Sequence, residues 1–128
     1  MTYNAYPYGF KSLCKFSIED TGYGDLLCLE GYSGRYFWSS KQAVDTAMQK
    51  LDAQFRNGNY ICLNDLYGYL RITPTHFGYQ YGWAPSEGWY NYEDGIKYEC
   101  NLVYDKEFEK QIYVIDIYTY PMESWMEV

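Results

Sequence analysis

Nucleophilic catalysis in this 128-residue chain would have to run through one histidine, His76, because a cysteine or serine nucleophile needs a base beside it. His76 stands next to Phe77 at the start of a short helical pattern and reads as a surface or helix-end residue. The cysteines Cys14, Cys28, Cys62 and Cys100 are far apart, with no C-x-x-C pair, so zinc is not indicated. Spacing leaves disulfides open, but the chain start "MTYNAYPYGF" has neither a basic nor an apolar signal region, and buried free thiols are expected. Glu93 with Asp94, and Asp105 with Glu107, have the charge to hold a divalent cation. Without a glycine-centred D-x-D-x-D-G loop they read as solvated acidic turns. "GYSG" and "DTGYGD" lack the lysine of a phosphate-binding loop. No cofactor is implied, and the chain is not expected to be an enzyme.

Charge is more informative. The net charge is −7, and it is concentrated at one end. Residues 1–60 balance acids against bases, whereas from residue 87 onward Glu87, Glu93, Asp94, Glu99, Asp105, Glu107, Glu109, Asp116, Glu123 and Glu127 face only Lys97, Lys106 and Lys110. Direct nucleic-acid binding is disfavoured and a positively charged partner surface favoured. Aromatic residues are 22% of the chain and 18 of them are tyrosines, which join apolar area to a hydroxyl that seeks a hydrogen bond. That composition excludes disorder, and no segment has the length of apolar sequence that spans a membrane. A soluble, cytosolic protein is the expectation.

The elements that must position these residues follow from periodicity. An aromatic arm precedes "SLCKFSIED" and "DLLCLEGY", which flank "TGYG" and read as an antiparallel hairpin. Val44, Ala47, Met48, Leu51 and Phe55 share one helical face, giving a long amphipathic helix from about 40 to 57, with Ser39 and Gln42 as a capping box and Gly58 as its stop. A short helix capped by Asn64 follows, then another capped by Thr73 with Pro74 in its first turn. The pair has the outline of a helix-turn-helix, but its second helix carries no arginine or lysine to meet DNA. In "GIKYECNLVY", Ile96, Tyr98, Cys100, Leu102 and Tyr104 alternate with Lys97, Glu99, Asn101 and Val103, so the first set is expected inward and the second outward. "DKEFEK" turns this strand into "QIYVIDIYTY", in which Asp116 is expected on the wet face beside Lys97. The fold class is α+β in one domain, 1–128: arm and hairpin over 1–38, helices over 39–83, acidic antiparallel strands over 84–128.

The segments "YICLNDLYGYLRITPTHFGYQYGW" and "QIYVIDIYTYP" give this chain a resemblance to a small domain of uncharacterised function in proteins of phages and integrative elements of Gram-positive bacteria. The matching positions are Leu63, Asn64, Asp65, Tyr67, Leu70, Thr75, Gly78, Gly82 and Trp83, then Val114, Ile115, Asp116 and Pro121. The resemblance, which includes the amphipathic helix, covers roughly residues 40–121. Leu66 replaces a frequent phenylalanine and Arg71 a frequent glycine. The resemblance implies a mobile-element setting and no catalytic residues.

Together, charge and resemblance lead to an expected inhibitor of the anti-CRISPR kind. Its acidic, tyrosine-rich surface would imitate nucleic acid and occupy a basic groove of a host defence nuclease or other nucleic-acid-binding protein. The expected contacts are Trp89, Tyr90, Tyr92, Glu93, Asp94, Glu99, Asp105, Glu107 and Glu109. The alternative is a carbohydrate- or peptide-binding accessory module using Trp83, Trp89 and Tyr90.

Overall fold

The computed structural model describes residues 18–85, 92–123 and 125–127. The architecture is α+β, with a five-stranded mixed sheet, a two-stranded sheet and three helices among the described residues. Strands β1 (Glu19–Asp20), β2 (Leu26–Glu30), β3 (Arg35–Ser39), β6 (Tyr98–Asp105) and β7 (Lys110–Ile117) form the larger sheet in the order β1-β3-β2-β7-β6. Helices α1 (Lys41–Arg56), α2 (Leu63–Leu70) and α3 (His76–Gln80) lie between β3 and β6 in sequence, with the two-residue strands β4 (Ile61–Cys62) and β5 (Gly82–Trp83) paired to each other. The chain divides into two compact units, one drawn from Met1–Ala43 and Tyr98–Ile117, the other from Val44–Lys97 and Tyr118–Val128.

The first unit is built on β2 and β7. β7 reads Ile112-Tyr113-Val114-Ile115 without a polar break, and all four are buried, as a strand covered on both faces requires. Leu27, Leu29, Tyr36, Ile112 and Val114 form one core cluster, with Ile18, Trp38, Val103 and Phe108 packed against it. Each hairpin turn is held by a buried carboxylate at the end of its first strand. Glu30 accepts hydrogen bonds from the backbone amides of Tyr32 (2.6 Å) and Ser33 (3.0 Å) and from the Ser33 hydroxyl. Asp105 accepts from the amides of Glu107 (2.9 Å) and Phe108 (3.2 Å) and from the Tyr36 hydroxyl (3.3 Å). A buried carboxylate is tolerated when donors converge on it.

The N-terminal hairpin differs from expectation. "DLLCLEGY" does supply β2, but its antiparallel partner is β3, which follows it across residues 31–34. Glu19 and Asp20 instead pair parallel with Phe37 and Trp38. Tyr36, Phe37 and Trp38 suit a pleated, half-buried surface better than the glycine-bracketed "TGYG" suits a hairpin turn. Residues 12–17 of the anticipated strand lie outside the described residues.

In the second unit α1 buries Val44, Ala47, Met48, Leu51 and Phe55, as its periodicity requires, and ends where Gly58 adopts φ +84°. Three caps fall on neighbours of the expected residues. Ser40, not Ser39, accepts from the Ala43 amide at 3.1 Å. At α2, Cys62 occupies the N-cap position and the Asp65 carboxylate reaches back to its amide at 2.8 Å. At α3, the cap is Thr75, whose hydroxyl accepts from the Gly78 amide at 2.9 Å, two residues beyond Thr73.

Asn64 is thereby free of capping duty and holds Thr75 in a two-pronged bond. Its Nδ2 donates to the Thr75 carbonyl (2.8 Å) and its Oδ1 accepts from the Thr75 amide (2.9 Å). Gly78 packs directly on that amide group, since a Cβ there would come within 2.0 Å of Asn64 Oδ1. α2 ends with Arg71 in the left-handed conformation (φ 66°, ψ 38°), closed by the amide bonds Arg71 to Gly68 O and Ile72 to Tyr67 O.

A candidate acidic interface

The turn Tyr92–Asp94 is a single 3-10 turn, and two side chains of α1 hold it. Arg56 Nη1 donates to the Glu93 carbonyl at 2.7 Å and Nη2 to the Asp94 carbonyl at 3.2 Å, while Nε bonds Asp52 Oδ2 at 2.9 Å. Asp52 Oδ1 accepts from the Ile96 amide at 2.9 Å. Between these anchors Gly95 has φ +73°, and a Cβ on it would lie 2.3 Å from Asp52 Oδ1 and 2.6 Å from the guanidinium, so only glycine closes the turn. The planar guanidinium fork meets two carbonyls and a carboxylate at once, which a lysine ammonium cannot do from one position. Tyr92, Glu93 and Asp94 are all exposed, and the guanidinium binds Glu93 and Asp94 through their backbone. The exit is fixed as well: the Lys97 amide donates to Thr119 Oγ1 (2.8 Å), and the Lys97 carbonyl accepts from the Tyr118 amide (2.8 Å).

The other anticipated contacts belong to the first unit. Glu99 is exposed on β6, directly across from half-buried Asp116 on β7, with Asn101 Nδ2 at 3.4 Å from its carboxylate. Glu109 is exposed in the β6–β7 turn with φ +54°. Glu107 is half-buried. Asp105 has no exposed surface, so it is a fold residue rather than a contact; its oxygens are turned to the Tyr36 hydroxyl and its own turn. Trp89 and Tyr90 lie outside the described residues. The set therefore divides, with Tyr92, Glu93 and Asp94 in one unit and Glu99, Asp105, Glu107 and Glu109 in the other.

Alternation along β6 also departs from expectation. Ile96 is buried and Tyr98 and Cys100 are half-buried, but Leu102 (42% exposed) and Tyr104 (47%) are open to solvent, while Val103 packs on the core cluster. Among the described residues β6 is the last strand of the sheet. An apolar side chain there has a neighbouring strand on one side only, so a period-two pattern does not by itself fix which row is inside. Trp83, one of three residues in the carbohydrate alternative, is fully buried and donates its indole N–H to the Thr119 carbonyl at 2.7 Å. It cannot serve as an exposed platform.

The side chains considered for chemistry are likewise accounted for. His76 is the first residue of α3, exposed, with its ring Nε2 3.4 Å from Gln80 Nε2. Burial pushes the Cys28 thiol up to about 12, with the charge of Cys100 adding to it and a backbone hydrogen bond at Ser39 opposing. Burial, then the nearby Asp65 carboxylate, raises Cys62. Both are protonated at neutral pH and unsuited to nucleophilic attack. Cys28 and Cys100 sit on strands that flank β7, about 9–10 Å apart at ordinary strand spacing and beyond disulfide reach. No group of three or more His, Cys, Asp or Glu side chains able to hold a metal occurs among the described residues. No helix among them is long and apolar enough to cross a membrane.

Sequence reasoning missed the pair that shapes the turn Tyr92–Asp94, Asp52 and Arg56. Its only trace in sequence is an acid and a base four residues apart near a helix end, the pattern of an ordinary surface ion pair. By contrast, the motif positions that drew attention serve the fold. Leu63, Tyr67 and Leu70 are core, Asp65 closes the start of α2, Asn64, Thr75 and Gly78 form one bracket, and Gly82 lies against the Ile61 carbonyl and Trp125. The left-handed Arg71 explains why glycine suits its position. Residues 12–126 match a family of unknown function (DUF6353). Comparison with curated proteins and with solved structures finds no match.

Proposed function

Since the chain belongs to the DUF6353 family of unknown function, we propose from its own surface that it acts by binding, without catalysis, a basic protein that handles nucleic acid. The observation that carries this reading is the turn Tyr92–Asp94, in which two carboxylates and a phenol are presented outward on a backbone fixed by Asp52 and Arg56. A fixed backbone lowers the ordering cost of binding, and the net charge of −7 steers the chain toward a positive surface. The exposed acids Glu99 and Glu109 add to the field of the first unit. An acidic protein of this size could lie in the channel of a nuclease in place of its nucleic acid, which is the action of an anti-CRISPR-type inhibitor. The mobile-element setting and the bacterial host are the parts of the proposal that rest on the resemblance alone.

The test is capture from bacterial lysate at low and high salt by the wild-type chain and by Glu93→Lys/Asp94→Lys, with mass spectrometry of what is retained. Basic nucleic-acid-binding proteins held at low salt, released by salt and lost in the variant are the expected result. Identical retention by the variant, or retention indifferent to salt, overturns the proposal.

A further inference from the structure

Two dipeptides of the second unit carry the atoms to modify themselves: Asn57 followed by Gly58, the chain's one Asn-Gly step, and Asp94 followed by Gly95, its one Asp-Gly step. In each, the glycine amide nitrogen can attack the side-chain carbonyl carbon of the residue before it and close a succinimide ring, and glycine has no Cβ to hinder the approach. Asparagine loses ammonia in the closure. Aspartic acid loses water.

The fold treats the two steps differently. Each glycine amide already donates to the carbonyl of the residue three before it, Gly58 to Phe55 (2.9 Å) and Gly95 to Tyr92 (3.1 Å), so attack waits for that bond to open. Ring closure also needs the planar peptide between the two residues to swing about ψ of the first, carrying its carbonyl and its N–H together. After Asp94 that peptide is tied at both ends, its carbonyl by Arg56 Nη2 (3.2 Å) and its N–H by Tyr92. Gly95 is buried, with Asp52 and the guanidinium packed on it. Asn57 and Gly58 are instead exposed in the turn that ends α1, and nothing lies within 4 Å of a Cβ built on Gly58. Helix ends are where a helix opens first.

We infer that Asn57 is a site of spontaneous deamidation in the folded chain, and that Arg56 withholds the corresponding reaction from Asp94. When the turn opens, hydroxide takes the Gly58 amide proton and the nitrogen bonds Asn57 Cγ. The Cγ–Nδ2 bond breaks as Nδ2 takes a proton from water and leaves as ammonia. Water then opens the ring at one carbonyl or the other, leaving aspartate or isoaspartate at 57. Either product sets a carboxylate at the negative end of the α1 dipole, where it is unfavourable. Isoaspartate also lengthens the main chain by a carbon just before the left-handed Gly58 that stops the helix.

Incubation of the full chain in mildly alkaline buffer, with and without urea, followed by peptide mapping and mass spectrometry, tests both halves of the inference. In buffer the expected result is a gain of about one dalton on the peptide that holds Asn57, as a mixture of aspartate and isoaspartate. Its rate should be about 2- to 10-fold below that in urea, the worth of one backbone hydrogen bond. Asn57→Gln should abolish the gain. Asp94 should yield isoaspartate, at unchanged mass and shifted elution, in urea but not in buffer. Arg56→Ala should raise its conversion in buffer by about tenfold or more, with circular dichroism showing the chain still folded. Arg56→Lys, which keeps the charge and loses the fork, should do the same. An Asn57 that stays unmodified in buffer while it converts in urea overturns the site. An Asp94 that converts equally in wild type and in both Arg56 variants overturns the role given to Arg56.

Discussion

Asp52 and Arg56, one helical turn apart and joined at 2.9 Å, act on a segment remote in sequence: between them they bond the backbone of Glu93, Asp94 and Ile96. As an exposed ion pair alone they would contribute a few tenths of a kcal/mol. Their worth lies in the bonds from a charged group to backbone.

Arg56→Ala is therefore expected to destabilise the chain by about 1–2 kcal/mol, and Arg56→Lys to recover little of it, because the fork is lost. Urea unfolding measures both. Asp52→Ala should in addition speed hydrogen exchange at the Ile96 amide while leaving amides within α2 protected.

Asn64 and Gly78 should show strong coupling. Gly78→Ala is expected to cost about 2–4 kcal/mol because its methyl group enters the space of the Asn64 amide. Asn64→Ala alone should cost about 2–3 kcal/mol, leaving the Thr75 amide and carbonyl without their partner. The double variant should lose clearly less than the sum, since removing the amide vacates the space the methyl needs. Additive losses in urea unfolding would contradict this geometry.

Among the described residues, two that are not glycine carry backbone conformations that favour it, Arg71 (φ 66°) and Glu109 (φ 54°). Arg71→Gly and Glu109→Gly are each expected to stabilise by about 0.5–1 kcal/mol, read as a rise in Tm. Glu109→Gly also removes an exposed acid without structural cost, which separates charge from fold in binding assays.

Thiol burial gives the alkaline limb of stability. Cys28 ionises near 9.0 in the unfolded chain and at about 12 in the folded one, so the folded state keeps a proton that the unfolded state has lost. This contribution is intact below pH 9 and falls away between pH 9 and about 12, by about 1.4 kcal/mol per pH unit at most. Cys62, raised in the same direction, adds to the loss. Urea midpoints at pH 8 and pH 10 should differ, and Cys28→Ala should shrink the difference.

Local signals were legible wherever one segment decides its own geometry. α1 was readable to within a residue or two because five apolar side chains on one face leave no alternative. Caps were read too early in sequence at Ser39 and Thr73, since serine and threonine pairs offer two hydroxyls and only tertiary packing selects Ser40 and Thr75. Asn64 was recognised as special but misassigned, because an asparagine amide that caps and one that brackets a distant turn look alike in sequence. Which row of β6 is inside depends on β6 being an edge, and that depends on β2 meeting β7, a pairing no local pattern encodes. Asp105 was counted as interface for a related reason: like Asp20, Glu30, Asp52 and Asp65, it accepts a backbone amide, which its charge alone does not reveal.

The parallel pairing of Cys28, Leu29 and Glu30 with Tyr113, Val114 and Ile115 also sets a timetable for the newborn chain. β2 and β3 leave the ribosome before the helices, and β7, the strand that pairs with β2, follows several seconds later at about 5–20 residues per second. The helices can form during the wait, whereas the larger sheet cannot close until β7 is out. A chain cut within β7 is expected to keep its helical signal but to be captured by chaperones through the bare edge of β2.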